Sequence, residues 1–296
     1  MTATTPLTPV AGTVAAAARR GRRPRGLLLL APALVMLLVF FAYPVADIVW
    51  RAFSEPHLGL QNLRDVFADP VTLRVLTRTV VTAFGVATLT LVLAYPYAHL
   101  MTVVSPRWRA VLMALVLLPF WTSLMARNFA WIVLLQDGGP LAKLTGLLGL
   151  GEKPLLGTAV GVALGMVQVL LPYMVLPLYS AMSGIDRRLL SAAASLGAPR
   201  RTVFGRIYLP LSMPGVVAGY TLVFVLALGF YITPRLLGSP QQSLIAQVIG
   251  TKVEKLLDFG GAGALSLVLL ALTGLLLLAV SRVARPASML GLKEED

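Results

Sequence analysis

Few residues in this 296-residue chain carry reactive or charged chemistry, and those few are unevenly placed. Arg127, followed by Asn128, sits inside an otherwise apolar run. An ionisable side chain there costs about 2.5–3.5 kcal/mol on insertion scales and is a functional suspect by default. It either lines a pathway, locks a gate by pairing across helices, or is held structurally by a carbonyl or an acid. Gln168, flanked by Gly165 and Pro172, and Trp121 are weaker pathway candidates. A second concentration of charge lies in the polar segment 182–210, where Arg187, Arg188, Arg200, Arg201 and Arg206 surround a small-residue stretch. Arginines so clustered suit an acidic partner or anionic lipid head groups. Catalysis finds no footing. The chain has no cysteine, and His57 and His99 are too separated for a metal site. It has no G-x-x-x-x-G-K-[ST] phosphate loop and no nucleophile–base pair. No catalytic residue, no metal and no cofactor is expected.

The elements that must position these residues follow from composition. Hydrophobic side chains make up 57%, charged ones 12%, and mean hydropathy is +0.84, against about 25% charged in an ordinary soluble domain. Such a chain is solvated by lipid. Apolar runs at roughly 27–46, 79–104, 110–135, 155–181, 209–233 and 262–283 are each long enough to cross a roughly 30 Å hydrocarbon core as a helix. The first follows Arg19–Arg25 and, at about 20 residues without a clear cleavage site, reads as an uncleaved signal anchor. Six spans put both termini on one side. With the termini cytoplasmic, fifteen Lys and Arg lie inside, nine outside and Arg127 within a span, as the positive-inside rule requires. The net charge of +13 is thus a topology signal, and nucleic-acid binding is not expected. The organisation is a disordered basic tail (1–26), a first transmembrane helix (27–50), a five-helix core (60–285) containing the cytoplasmic loop 183–210, and a C-terminal tail (286–296). The outer segment 243–250 is expected to lie in the outer interface, where a docked protein would reach it.

That cytoplasmic loop is too polar to span and too helix-prone for a plain turn. Asp186 is a plausible N-cap, and Ala192, Ala193, Leu196 and Gly197 fall on one helix face. The segment resembles the "EAA" coupling motif of binding-protein-dependent ABC importer permeases: E-A-A, three residues, G, nine residues, I-x-L-P. Here Ala192 and Ala193 precede Gly197 by that spacing, and Ile207, Leu209 and Pro210 close the pattern, with Ser191 in place of the leading Glu. Leu118–Ser123, Leu171–Tyr179 and Arg206–Gly219 further resemble the polyamine (spermidine/putrescine) permease subfamily. The resemblance implies an all-α membrane protein with six transmembrane helices in the ABC importer (MetI-like) permease fold. It further implies a helix-turn-helix seated in a groove of cytoplasmic ATP-binding subunits, with Gly197 at the turn. A second permease subunit (forming a heterodimer), an extracytoplasmic solute-binding protein and the cytoplasmic (inner) membrane complete the expected surroundings. The transported solute would be a polyamine, and a cation pathway lined by Arg127 would be repulsive, which favours its gate or structural role. Another solute, such as iron(III) or an opine, or an ion-coupled secondary transporter, is the alternative reading.

Overall fold

The computed structural model describes residues 25–147, 149 and 154–289, all helix or connecting turn; most of the two expected tails lies outside them. Two compact units divide the chain at Asp47 and Ile48. The first holds α1 (Arg25–Leu37), a wide π turn (Leu38–Ala42) and the opening residues, to Asp47, of α2 (Tyr43–Ser54). Residues Leu34–Phe41 are exposed, as a helix solvated by lipid requires.

The second unit holds the rest. After α3 (Gln61–Ala68), the Asp69 carboxylate accepts from the amides of Val71 and Thr72, with Pro70 opening α4 (Pro70–Val103). Side-chain and backbone donation, from Thr72 first and then Val71, holds this carboxyl below its ordinary 3.8. At 34 residues α4 is about 51 Å long and overshoots the hydrocarbon core. The elements after it are α5 (Pro106–Trp121), α6 (Leu124–Leu135), α7 (Pro140–Leu147), α8 (Ala159–Ser183), α9 (Arg187–Ser195) and α10 (Arg200–Val203). From α10 a π turn (Phe204–Tyr208) leads directly into α11 (Leu209–Leu228); then come α12 (Ile232–Leu237), α13 (Ile245–Thr251) and α14 (Phe259–Met289).

Among the described residues five helices are long and apolar enough to cross continuously, and the third expected span is not one of them. The run 110–135 is broken at Thr122–Ser123, both extended, and the chain turns by 100° between Pro106–Trp121 and Leu124–Leu147. Pro119 removes a donor in the last turn of α5, which weakens the helix where it ends.

The core is α4, α8 and α11 laid side by side around Val86, Met101, Met174, Leu178 and Val223, all fully buried. α8 and α11 approach closely because Gly215 and Gly219 face the α8 backbone: a Cβ on Gly215 would lie 2.9 Å from the Pro177 carbonyl oxygen, and one on Gly219 3.1 Å from that of Met174. A second cluster gathers Ala52, Val66, Val75, Ile245, Ala264 and Leu265. It takes in the apolar start of segment 243–250. Leu244 and Ile245 are buried, packing the start of that segment onto the bundle, and the Ile245 amide donates to Thr79 Oγ1 of α4 at 2.9 Å. One face of α4 is the opposite case, exposing Val81, Phe84 and Val92.

Candidate functional site

The loop between α8 and α11 is a helical hairpin. The Asp186 carboxylate accepts from the Arg188 amide at 2.8 Å and starts α9. Gly197 ends it. At φ +83° this residue takes a left-handed conformation; its amide donates to the Ala194 carbonyl at 3.0 Å, and that of Ala198 to Ala193 at 3.2 Å. These two bonds are the Schellman arrangement, which satisfies the last carbonyls of the helix and favours glycine. Space is not the constraint, since nothing lies within 4 Å of a Cβ there.

The hairpin stands clear of the bundle. Ser191, Ala192 and Gly197 are exposed, Ala193 is half-buried, and Leu196 is 89% exposed. Ser191 Oγ donates to its own helix, at the Arg187 carbonyl, 3.2 Å away. Ile207 is half-buried and Leu209 and Pro210 are exposed at the start of the crossing helix. Sequence spacing therefore brings Ser191, Ala192, Ala193, Leu196 and Gly197 together on one projecting element, with Ile207, Leu209 and Pro210 at its root.

What fixes that root to the bundle escaped the sequence reading. His99 Nδ1 on α4 and the Tyr208 hydroxyl share a hydrogen bond of 2.8 Å. Phe204 stacks on Tyr208 at 5.7 Å and meets His99 and Tyr95 edge-on, and the Tyr95 hydroxyl pairs with Ser212 Oγ at 2.9 Å. His99 alone looks interfacial; only its partners, more than 100 residues away, give it this place. Arg187 donates to the Thr102 carbonyl and Arg109 Nε to that of Met101 at 3.1 Å, so both cap the end of α4. Between α9 and these helix ends lies a cavity of about 490 Å³.

The intramembrane polar residues occupy the break between α5 and α6. The Arg127 guanidinium donates to the carbonyls of Pro119 and Thr122 and to Thr122 Oγ1, taking up oxygens that the ended helix leaves free. Asn128 is buried and donates to the Leu124 carbonyl at 2.9 Å. Trp131 Nε1 donates to Gln168 Oε1, joining α6 to α8. Trp121 stays apart, 75% exposed at the end of α5. At the other end of the spans, Arg235 pairs with Glu254 at 3.3 Å, lies over the Tyr231 ring at 5.2 Å, and lines a smaller cavity of about 290 Å³. Nearby, Lys252 pairs with Asp258 at 2.6 Å. Burial pushes the Asp258 carboxyl up, but donation from Lys252 and the Gly261 amide outweighs it and holds the group below its ordinary value. Among the described residues no cluster of His, Asp or Glu is arranged to hold a metal ion.

Comparison with known proteins matches residues 91–286 to the family described as binding-protein-dependent transport system inner membrane component. The chain is 39% identical over 191 residues to the spermidine/putrescine transport system permease protein PotB of Haemophilus influenzae, covering 63% of this chain and 67% of that one. It is 35% identical over 219 residues to the protein of the same name from Escherichia coli K12, covering 73% and 80%. Its fold resembles a chain of the bacterial alginate ABC transporter crystallised in complex with alginate pentasaccharide-bound periplasmic protein. The TM-score is 0.71 at 18% identity, covering 89% of this chain and 95% of that one.

Proposed function

Because the chain belongs to the family of binding-protein-dependent transport system inner membrane components, we propose that it carries a polyamine of the spermidine/putrescine type across the membrane by alternating access. The chain is the permease subunit of an ABC importer and a multi-pass inner-membrane protein. Its polyamine cargo rests on the 35–39% identity to permeases named for spermidine and putrescine. The termini and the α9–α10 hairpin face the cytoplasm, following the lysine and arginine asymmetry of the loops.

One observation carries the mechanism: α9 is an ordered, capped helix whose apolar Leu189 and Leu196 are 50% and 89% exposed. It docks on a separate ATP-binding subunit, because the chain has no phosphate loop with which to hydrolyse ATP itself. A second permease supplies the other half of the channel, and a solute-binding protein delivers the cargo at the outer face. When ATP closes the ATPase pair, movement of α9 passes through α10 to α11. The Arg127 cluster holds the bent α5–α6 pair in shape beside the pathway, and Gln168 and Trp131 tie it to α8.

The test is co-purification with the ATPase subunits, followed by spermidine-driven ATP hydrolysis and uptake in proteoliposomes. Leu196→Asp touches nothing else in the chain, so the spans fold unchanged; ATPase association and stimulated hydrolysis fall about tenfold or more, as for a fully buried interface anchor. Retention of both would overturn the docking. Uptake of an unrelated solute in preference to spermidine and putrescine would overturn the cargo.

A further inference from the structure

The cavity behind α9 is separate from Leu189 and Leu196, the exposed side chains of the proposed docking, and of the coupling-motif residues only Ser191 lines it. Its volume of about 490 Å³ falls within the roughly 300–1,000 Å³ typical of ligand sites. Val103, Met182 and Phe204 form an apolar floor, and Arg109, Arg187 and Arg200 line it as well. Not one carboxylate lines it; the nearby Asp186 is spent on capping α9. Arg109 and Arg187 are each anchored by one nitrogen to a carbonyl at the end of α4. Among the described residues neither guanidinium has a further hydrogen-bond or carboxylate partner beyond that anchor, and Arg200 has none. Three positive charges over an apolar floor, with their remaining donors unspent, call for an amphiphilic anion.

Position narrows the choice. α4 ends at Val103, α8 ends at Ser183, and the helix leading into α11 begins at Arg200, so the cavity opens where three apolar spans leave the hydrocarbon. Lipid phosphates sit at that level. We propose that this cavity binds the phosphate of an anionic phospholipid, with the guanidinium groups on the head group and the glycerol and upper acyl carbons over the apolar floor. A free phosphate ion shares the charge chemistry but leaves the floor uncovered. The site stands on the cavity alone and holds whether or not α9 docks on an ATPase.

Native mass spectrometry of the chain in phosphatidylcholine nanodiscs, with and without phosphatidylglycerol, tests this. The unaltered chain retains phosphatidylglycerol. In the double variant Arg109→Gln/Arg200→Gln retention falls about tenfold, while Arg188→Gln/Arg201→Gln, which removes equal charge from the same loop outside the cavity, changes it by less than about twofold. Ala194→Phe fills the cavity without touching a charge and also abolishes retention. Circular dichroism confirms that each variant keeps its helices. Equal losses from the two arginine pairs mean diffuse surface attraction and overturn the site, as does retention by Ala194→Phe. Inorganic phosphate displacing the lipid with the same arginine dependence makes it a free-anion site instead. Loss of the lipid whenever the ATPase subunits bind assigns the cavity to an acidic side chain of that partner.

Discussion

Arg127 stands at the point where residue chemistry and chain geometry meet. Its guanidinium reaches back from α6 to the carbonyl oxygens of Pro119 and Thr122 at the end of α5, and in a lipid setting those oxygens have no water to turn to. Arg127→Ala should destabilise the chain by about 1.5–3 kcal/mol, the range for hydrogen bonds made by a charged group, read as a lower thermal midpoint in detergent. Arg127→Lys restores part of it, since one ammonium reaches fewer of the three acceptors. A variant of unchanged stability that no longer transports would instead place Arg127 on the pathway. How much of this was legible residue by residue depended on range. Asp186 and Gly197 declare themselves, because a cap and a left-handed turn are local demands. The pairing of His99 with Tyr208, or of Trp131 with Gln168, depends on which helices become neighbours, and no spacing within one segment encodes that.

At the level of elements, length and hydropathy find the five continuous spans, and miss the fracture of the third. Pro119 is no sufficient warning, since Pro96, Pro172, Pro177 and Pro214 all lie inside unbroken helices. The break follows from Thr122 and Ser123 taking extended dihedrals, which the Arg127 bonds then hold. The entry to α4 offers a test at this scale. Because the Asp69 carboxyl is held below 3.8, its contribution to the first turn is complete above that pH and is lost as pH falls through the lowered value. Amide exchange at Val71 and Thr72 should therefore rise relative to neighbouring amides only under strongly acid conditions. Asp69→Asn keeps a capping oxygen and should remove the pH dependence.

For the molecule as a whole, the apolar surface divides by use. Met174, Leu178 and Val223 are sealed between helices, whereas Val81, Phe84 and Val92 on α4 are exposed. The hairpin, the lever of the proposed mechanism, stands apart from both: its Leu196 is exposed at its tip, and it joins the core through Phe204–Tyr208. That join is a π turn, in which the Leu209 amide reaches back to the Phe204 carbonyl. A π turn is one residue more than an α-helix needs, so it works as a phase shift in a rotating shaft. Each residue of an α-helix advances the direction of everything beyond it by about 100°. The surplus residue therefore sets the compass bearing at which the lever leaves the membrane, independently of how firmly either part folds. Deleting Gly205, which is exposed and has open space around it, should leave the spans and the helix content by circular dichroism intact. The lever would then leave the membrane at a changed angle, and stimulated ATP hydrolysis would fall although α9 is itself unaltered. A deletion variant with normal stimulated hydrolysis would mean that the bearing is set elsewhere.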